Sequence, residues 1–247
     1  MLWSLQDLLI ADTRGRKMRR LHLEKKGIRG LAIAESFRHD SQKSVLAGVI
    51  ISSDLVIDGF VLGGATIKGD DATDEIISMY EKLDRNDISY LMTSGLVISL
   101  YNMVDVKKIS DTLDIPVIGV TYSDSGTLDE TIKNHFPDDY EEKLIQYKKI
   151  GDREKVSLKT GNDLFVRYEG CTLIQCKQLL DRITPTGLTP EPLRIAQLLA
   201  KNNPTPIEFV AVNDQFGESG KPADLMKKYG LHFTNIIDAV HRVLKRK

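Results

Sequence analysis

The chain has 247 residues, 41% of them hydrophobic, and a formal net charge of −1. That is enough for one large domain with a substantial core, or for a domain of ordinary size with an appendage. The balanced charge gives no bulk attraction to nucleic acid. No apolar run has the length of a membrane span, and the N-terminus lacks a signal-peptide core with a cleavage site, so a soluble, cytoplasmic protein is expected.

In chain order, residues 1–17 hold a short amphipathic helix candidate (Leu2, Leu5, Leu8, Leu9) followed by a basic run. Met18 reads as the natural start of a domain, which makes 1–17 an extension ahead of it. The basic arm is expected to be solvated, with phosphate contact as the alternative. Ile28–Phe37 reads as a buried strand, and Ser44–Ser52 and Leu55–Ile67 as two more around a tight turn at Ser53 and Asp54. Short connections between three successive strands predict an antiparallel meander.

After Ile67 the rhythm changes. A helix over about 71–84 precedes a strand at Ile88–Thr93, a helix over about 105–113 and a strand at Pro116–Tyr122. Alternating strands and helices imply right-handed crossovers and added parallel strands. The expected class is therefore α/β, with three antiparallel strands followed by parallel strands and crossover helices, the ribonuclease H-like order. Helices at Leu128–Phe136 and Asp139–Ile150 follow, then a strand pair near Val156–Leu158 and Asp163–Tyr168, then helices at Leu173–Ile183 and Pro192–Lys201. Proline beside an acid at Thr189–Arg194 is a helix-start signal.

Asn202–Pro206 reads as a linker, closing a domain over 18–201. The remaining 207–247 predict a short strand at Ile207–Val212, a Gly217–Gly220 loop and helices over 221–229 and 233–246. Val210, Val212, Ile236, Ile237, Val240 and Leu244 are apolar at strand and helix spacing, which favours docking of this appendage on something.

The stretch from Thr66 to Glu81 organises the rest. Asp70 and Asp71 stand between an apolar strand and an amphipathic helix. Acids there complement the helix dipole, and Asp71 or Thr73 can cap free N–H groups. The alternative is that Asp70 or Asp71 faces Glu35, from the first strand, across a divalent cation. Alternation along that strand means that Ala34 and Glu35 cannot share one face. Asn102, Asp105 and Tyr101 follow the fourth strand, on the edge where an α/β sheet places its ligands. Tyr122 ends the fifth. Arg194, Arg167 and Arg85 could bind an anion, with a helix-start ion pair to Glu191 as the other account of Arg194. His39 is a loop histidine, and Asp58 either serves an Asp-Gly turn or points near Glu35. Cys171 and Cys176, five apart, match neither a metal pair nor a disulfide framework and are expected to be reduced, small helix residues.

Several motifs in order carry a resemblance: Gly27–Phe37, Val56–Phe60, Gly69–Ile76, Tyr101–Asp105, Pro116–Ser125 and Thr189–Arg194. Over residues 18–201 the chain resembles an uncharacterised, largely archaeal family related to endonuclease V. The resemblance implies a ribonuclease H-like fold and a nucleic-acid partner, with Mg²⁺ or Mn²⁺ as the implied metal. Taken position by position, the family's first-strand acid falls at or beside Ala34, with Glu35 next in line. Asp70 and Asp71 match the acid that opens the first crossover helix. Ser94 replaces the acid of an Asp-Gly pair, and Tyr122 replaces a lysine.

Residues 208–247 resemble the extreme C-terminal end of transketolase, through Asp214–Gly220, Leu225, Tyr229–Leu231 and Ile236. They carry none of its thiamine machinery, so no thiamine diphosphate is expected. The leading expectation is a nucleic-acid-associated protein with weak or lost nuclease activity. The alternatives are a Mg²⁺- or Mn²⁺-dependent endonuclease using Glu35, Asp70 and Asp71 with a borrowed ligand such as Asp105, and a module whose tail engages a transketolase-type partner or a second copy.

Overall fold

The computed structural model describes residues 21, 23–24, 27–38, 40–123, 128–202, 210 and 220–245. The basic arm, His39, the expected strand at 207–212 apart from Val210, and the Gly217–Gly220 loop apart from Gly220 lie outside them. The chain divides into two compact units, residues 1–203 and 204–247.

The first unit runs β1 (Arg29–Ser36), β2 (Val45–Ser52), β3 (Ile57–Gly63), α1 (Ala72–Lys82), β4 (Ile88–Ser94), β5 (Val97–Ile98), β6 (Asn102–Met103), α2 (Val106–Leu113) and β7 (Val117–Thr121). It continues with α3 (Asp129–His135), α4 (Tyr140–Lys149), β8 (Glu154–Ser157), β9 (Asp163–Glu169), α5 (Leu173–Ile183) and α6 (Glu191–Lys201). The second unit contributes α7 (Pro222–Lys228) and α8 (Phe233–Lys245).

Seven strands form one sheet in the order β3-β2-β1-β4-β7-β9-β8. The expected meander is present, β1 pairing with β2 and β2 with β3 antiparallel. β4 lies parallel to β1 and β7 parallel to β4, as the crossovers through α1 and α2 require. The later strand pair extends this sheet, because β9 runs antiparallel to β7 and β8 to β9. A separate short hairpin, β5 with β6, was not expected.

β1 shows why the sheet is a central layer. Leu31 and Ile33 point into a core shared with Ile76, Met79 and Ile109 of α1 and α2. Ala32 enters the opposite core, with Leu179, Leu180 and Ile183 of α5, and Ala34 packs beside Val49, Ile51 and Ala196 of α6. A strand buried on both faces reads as a continuous apolar run, as β1 and β2 do. On the other side of β1, Gly30 pairs with Tyr90 of β4 and leaves room for its ring: a β-carbon there would lie 2.0 Å from Tyr90 Cζ.

Two expectations need correction. Asp58 does not point toward Glu35. It lies near the opposite end of β1, where it accepts hydrogen bonds from Arg29 and Arg85, and Arg85 also bonds Asp87 at 2.6 and 2.8 Å. Cys171 is not in a helix but precedes Thr172, the N-cap of α5. In the second unit, Ile236, Ile237, Val240 and Leu244 are exposed on α8.

Candidate functional site

The carboxyl ends of β1, β4 and β7 open into a cavity of about 370 Å³. Its walls are mainly apolar, from Phe37, Leu96, Val97, Leu100, Tyr101, Leu128 and Tyr147, and its polar groups include Glu35, Ser99, Thr121 and Arg153. This is the edge on which open α/β sheets bind ligands. Strand alternation decides which residue reaches it. Ala34 is buried on the α6 side, so Glu35, on the face of Leu31 and Ile33, is the acid that lines the cavity.

Glu35 is clamped by Ser99. One carboxylate oxygen accepts the Ser99 backbone N–H at 3.1 Å and the other accepts its hydroxyl at 3.0 Å. Ser99 Oγ also lies 2.6 Å from Ser44 Oγ, and the Ser44 hydroxyl bonds the Ala65 carbonyl at 3.2 Å. Ser99, Leu100 and Tyr101 form the turn between β5 and β6 and have φ values of 48°, 54° and 71°. Three successive non-glycine residues in the left-handed region cost about 1 kcal/mol or more each, so surrounding contacts must impose the turn. Those contacts are the Glu35 clamp, the Lys68 N–H to the Ser99 carbonyl at 2.8 Å, and the Tyr101 ring edge-on to Phe136 at 5.5 Å.

Asp71 answers to a second set of partners. It accepts from the Thr66 backbone N–H at 2.9 Å, the Thr66 hydroxyl at 2.6 Å and Asn102 Nδ2 at 2.7 Å. Burial works to raise its pKa, but these hydrogen bonds to the charged form outweigh burial and hold it below the ordinary aspartate value. Asp71 occupies the N-cap position of α1 without a side-chain cap bond. The cap comes from Asn102, whose Oδ1 accepts the Ala72 N–H at 3.0 Å while Nδ2 also donates to the Thr66 carbonyl at 2.9 Å. Thr73 likewise turns away from the helix end: its hydroxyl donates to the Met103 carbonyl and accepts the Asp105 N–H. Asn102 is fully buried with its amide engaged, so it holds Asp71, α1 and β6 in register.

Asp70 turns elsewhere. Its carboxylate pairs with Lys143 of α4, a lysine whose side chain is only 6% exposed and whose ammonium also donates to the Gly69 carbonyl at 3.0 Å. Lys143 had no sequence signal, since it sits among polar neighbours on a helix that reads as solvated. Asp105 caps α2, accepting the Lys108 N–H at 2.9 Å, and lines a smaller cleft of about 180 Å³ with Asp70, Lys108, Gln146 and Lys149.

The remaining candidates are accounted for by neighbours. Tyr122 Oη lies 3.5 Å from Ser94 Oγ, and burial pushes its phenol pKa up against the opposing hydrogen bonds of Ser94 and Thr189. Arg194 forms the helix-start pair with Glu191, at 2.7–3.0 Å. Arg167 bonds Glu169 and the carbonyls of Ile150 and Tyr168.

Glu35, Asp70 and Asp71 are thus held by three separate partner sets, Ser99, Lys143, and Thr66 with Asn102. Among the described residues no group of three or more His, Cys, Asp or Glu is arranged to hold a metal ion. A two-metal hydrolytic centre needs several anionic oxygens converging on cations about 4 Å apart. At the ends of β4 and β7 this chain offers the neutral hydroxyls of Ser94 and Tyr122, and Asp70 already neutralises an ammonium. This donor set does not fit Mg²⁺ or Mn²⁺ in that manner.

Comparison with known proteins gives the lineage. A UPF0215 protein from Pyrobaculum calidifontis is 31% identical over 171 residues, covering 69% of this chain and 93% of that protein. A UPF0215 protein from Pyrobaculum aerophilum is also 31% identical over 171 residues, covering 69% of this chain and 91% of its own. A protein of unknown function from Archaeoglobus fulgidus superposes with a TM-score of 0.58 at 25% identity, over 70% of this chain and 95% of that one. Endonuclease V from Ciona intestinalis, solved with a 24mer DNA containing an inosine followed by a ribo-adenosine, superposes with a TM-score of 0.50 at 13% identity, over 74% of this chain and 90% of that one. The fold is therefore a mixed α/β sheet of endonuclease V type. The profile of the endonuclease dU family matches residues 26–203, ending where the second unit begins. The chain belongs to the endonuclease dU family.

Proposed function

We propose that this protein binds nucleic acid along the carboxyl edge of its sheet and receives one unstacked base in the Glu35 cavity, with cleavage weak or lost. The observation that carries this reading is the cavity itself. About 370 Å³ with aromatic walls suits a planar base, and Glu35 supplies acceptors for its N–H groups. The family name directs attention to deoxyuridine, and the endonuclease V neighbour to inosine, as bases to present. The reduced cleavage rests on the donor set: Ser94 and Tyr122 carry no charge, and Asp70 is paired with Lys143.

The test is fluorescence anisotropy with single-stranded and duplex DNA carrying one deoxyuridine, one inosine or neither, using wild type and Glu35→Gln. Tighter binding of a modified strand, weakened about tenfold in the variant, supports the reading; a tenfold change corresponds to about 1.4 kcal/mol. Equal binding of all strands by both proteins sinks the base-pocket assignment. The same strands are incubated with Mg²⁺ and Mn²⁺. Rapid scission abolished in Asp70→Ala and Asp71→Ala would overturn the loss of cleavage and favour the metal-dependent endonuclease.

A further inference from the structure

We propose that Cys171 and Cys176 form a peroxide-responsive thiol pair that closes to an intramolecular disulfide. The two residues are five apart in sequence, yet their sulfurs lie 3.4 Å apart, because Cys171 sits just ahead of the α5 N-cap and Cys176 in the first turns of the helix. A disulfide requires about 2.0 Å between sulfurs, so the pair closes by a movement of little more than an ångström. The backbone on the Cys171 side can supply it. Gly170, at φ +75°, separates Cys171 from the end of β9, whereas Cys176 is fixed in the helix and fully buried.

The two thiols differ in access, which assigns their order. Cys171 is partly exposed and Cys176 is not. The hydrogen bond to Cys171 and burial together push the Cys176 thiol pKa far up, so Cys176 is not the thiol that meets peroxide first. The Cys171 thiolate attacks one oxygen of a hydroperoxide, breaking the O–O bond. This yields the Cys171 sulfenic acid and, from hydrogen peroxide, a hydroxide that takes up the released proton as water. Cys176 Sγ then attacks the Cys171 sulfur, its proton leaves with the departing hydroxyl as a second water, and the S–S bond forms. Two thiols lose two electrons and one peroxide gains them.

The bond would tie the end of β9 to the start of α5. β9 pairs with β7, whose last residue Thr121 lines the Glu35 cavity, so the staple acts on the sheet that carries the site without using any residue of it.

The test uses the full chain under native conditions. Reduced protein is exposed to hydrogen peroxide, quenched with an alkylating reagent and weighed by mass spectrometry, with a thiol reductant added to a parallel sample. The expected product is two hydrogens lighter than the starting protein, takes up no alkyl group, reverts on reduction, and melts several degrees higher than the reduced form. In Cys176→Ala, peroxide should instead leave a Cys171 sulfenic acid that a dimedone-type reagent traps. In Cys171→Ser, the buried thiol should survive unoxidised. Independent oxidation of both cysteines in wild type, or both thiols still free after the exposed cysteine of a control peptide has reacted, would overturn the proposal.

Discussion

Replacing Asn102 by alanine tests whether the network under the site is built as described. The change removes the cap of α1 at Ala72, the bond to the Thr66 carbonyl, and the bond to the Asp71 carboxylate at 2.7 Å. Each neutral bond is worth about 1 kcal/mol and the one to a charged acceptor about 2 kcal/mol, and a buried N–H left unpaired adds to the loss. The expected destabilisation is about 4 kcal/mol, which for a chain of this size lowers Tm by roughly 10 °C. Urea denaturation followed by circular dichroism, at several pH values, measures it. Asp71 adds a signature of its own. Its folded pKa lies below its unfolded value, so its contribution is fully present above about pH 4 and is lost as pH falls through the folded value. Asp71→Asn should therefore be less stable than wild type at neutral pH and should flatten the acid limb of the stability curve. A loss below about 1 kcal/mol in Asn102→Ala, within the range of a single hydrogen bond, or identical acid limbs for wild type and Asp71→Asn, would refute the reasoning.

Two further outcomes are expected. Gly30→Ala drives a methyl group into the fully buried Tyr90 ring, at 2.0 Å from Cζ, and should cost about 3 kcal/mol in urea denaturation; wild-type stability would show that the ring is free to move. A chain ending at Asn203 keeps the whole first compact unit and the whole family match, so it should remain soluble and melt cooperatively. An insoluble product would show that the C-terminal unit completes the first.

Element by element, the local structure was legible. β1 announces itself as a continuous apolar run, α6 by proline and an acid in its first turn, and α5 by its amphipathic pattern. Such signals depend on neighbours a few residues away, so they survive in a single sequence. The order of the main-sheet strands from β1 to β7 was legible for a related reason, because hairpins and right-handed crossovers leave few topologies, while the small β5–β6 hairpin was not.

The site depended on contacts across the chain. Nothing near Ser99 marks three left-handed residues in a row, since no glycine stands there and the contacts that hold the turn come from distant positions, Glu35 lying sixty-four residues away. Asn102 could be suspected from its place at a sheet edge, but that it caps α1 in place of Asp71 or Thr73 requires β6 to be set beside that helix. Lys143 reaches Asp70 only because α4 is set beside the Gly69–Asp70 segment ahead of α1. The sequence by itself determined which segments form the main sheet and the helices around it, through periodicity and capping. Tertiary structure alone decided which carboxylate faces the cavity and which charges are already neutralised, because those outcomes rest on hydrogen bonds between residues that sequence spacing does not bring together.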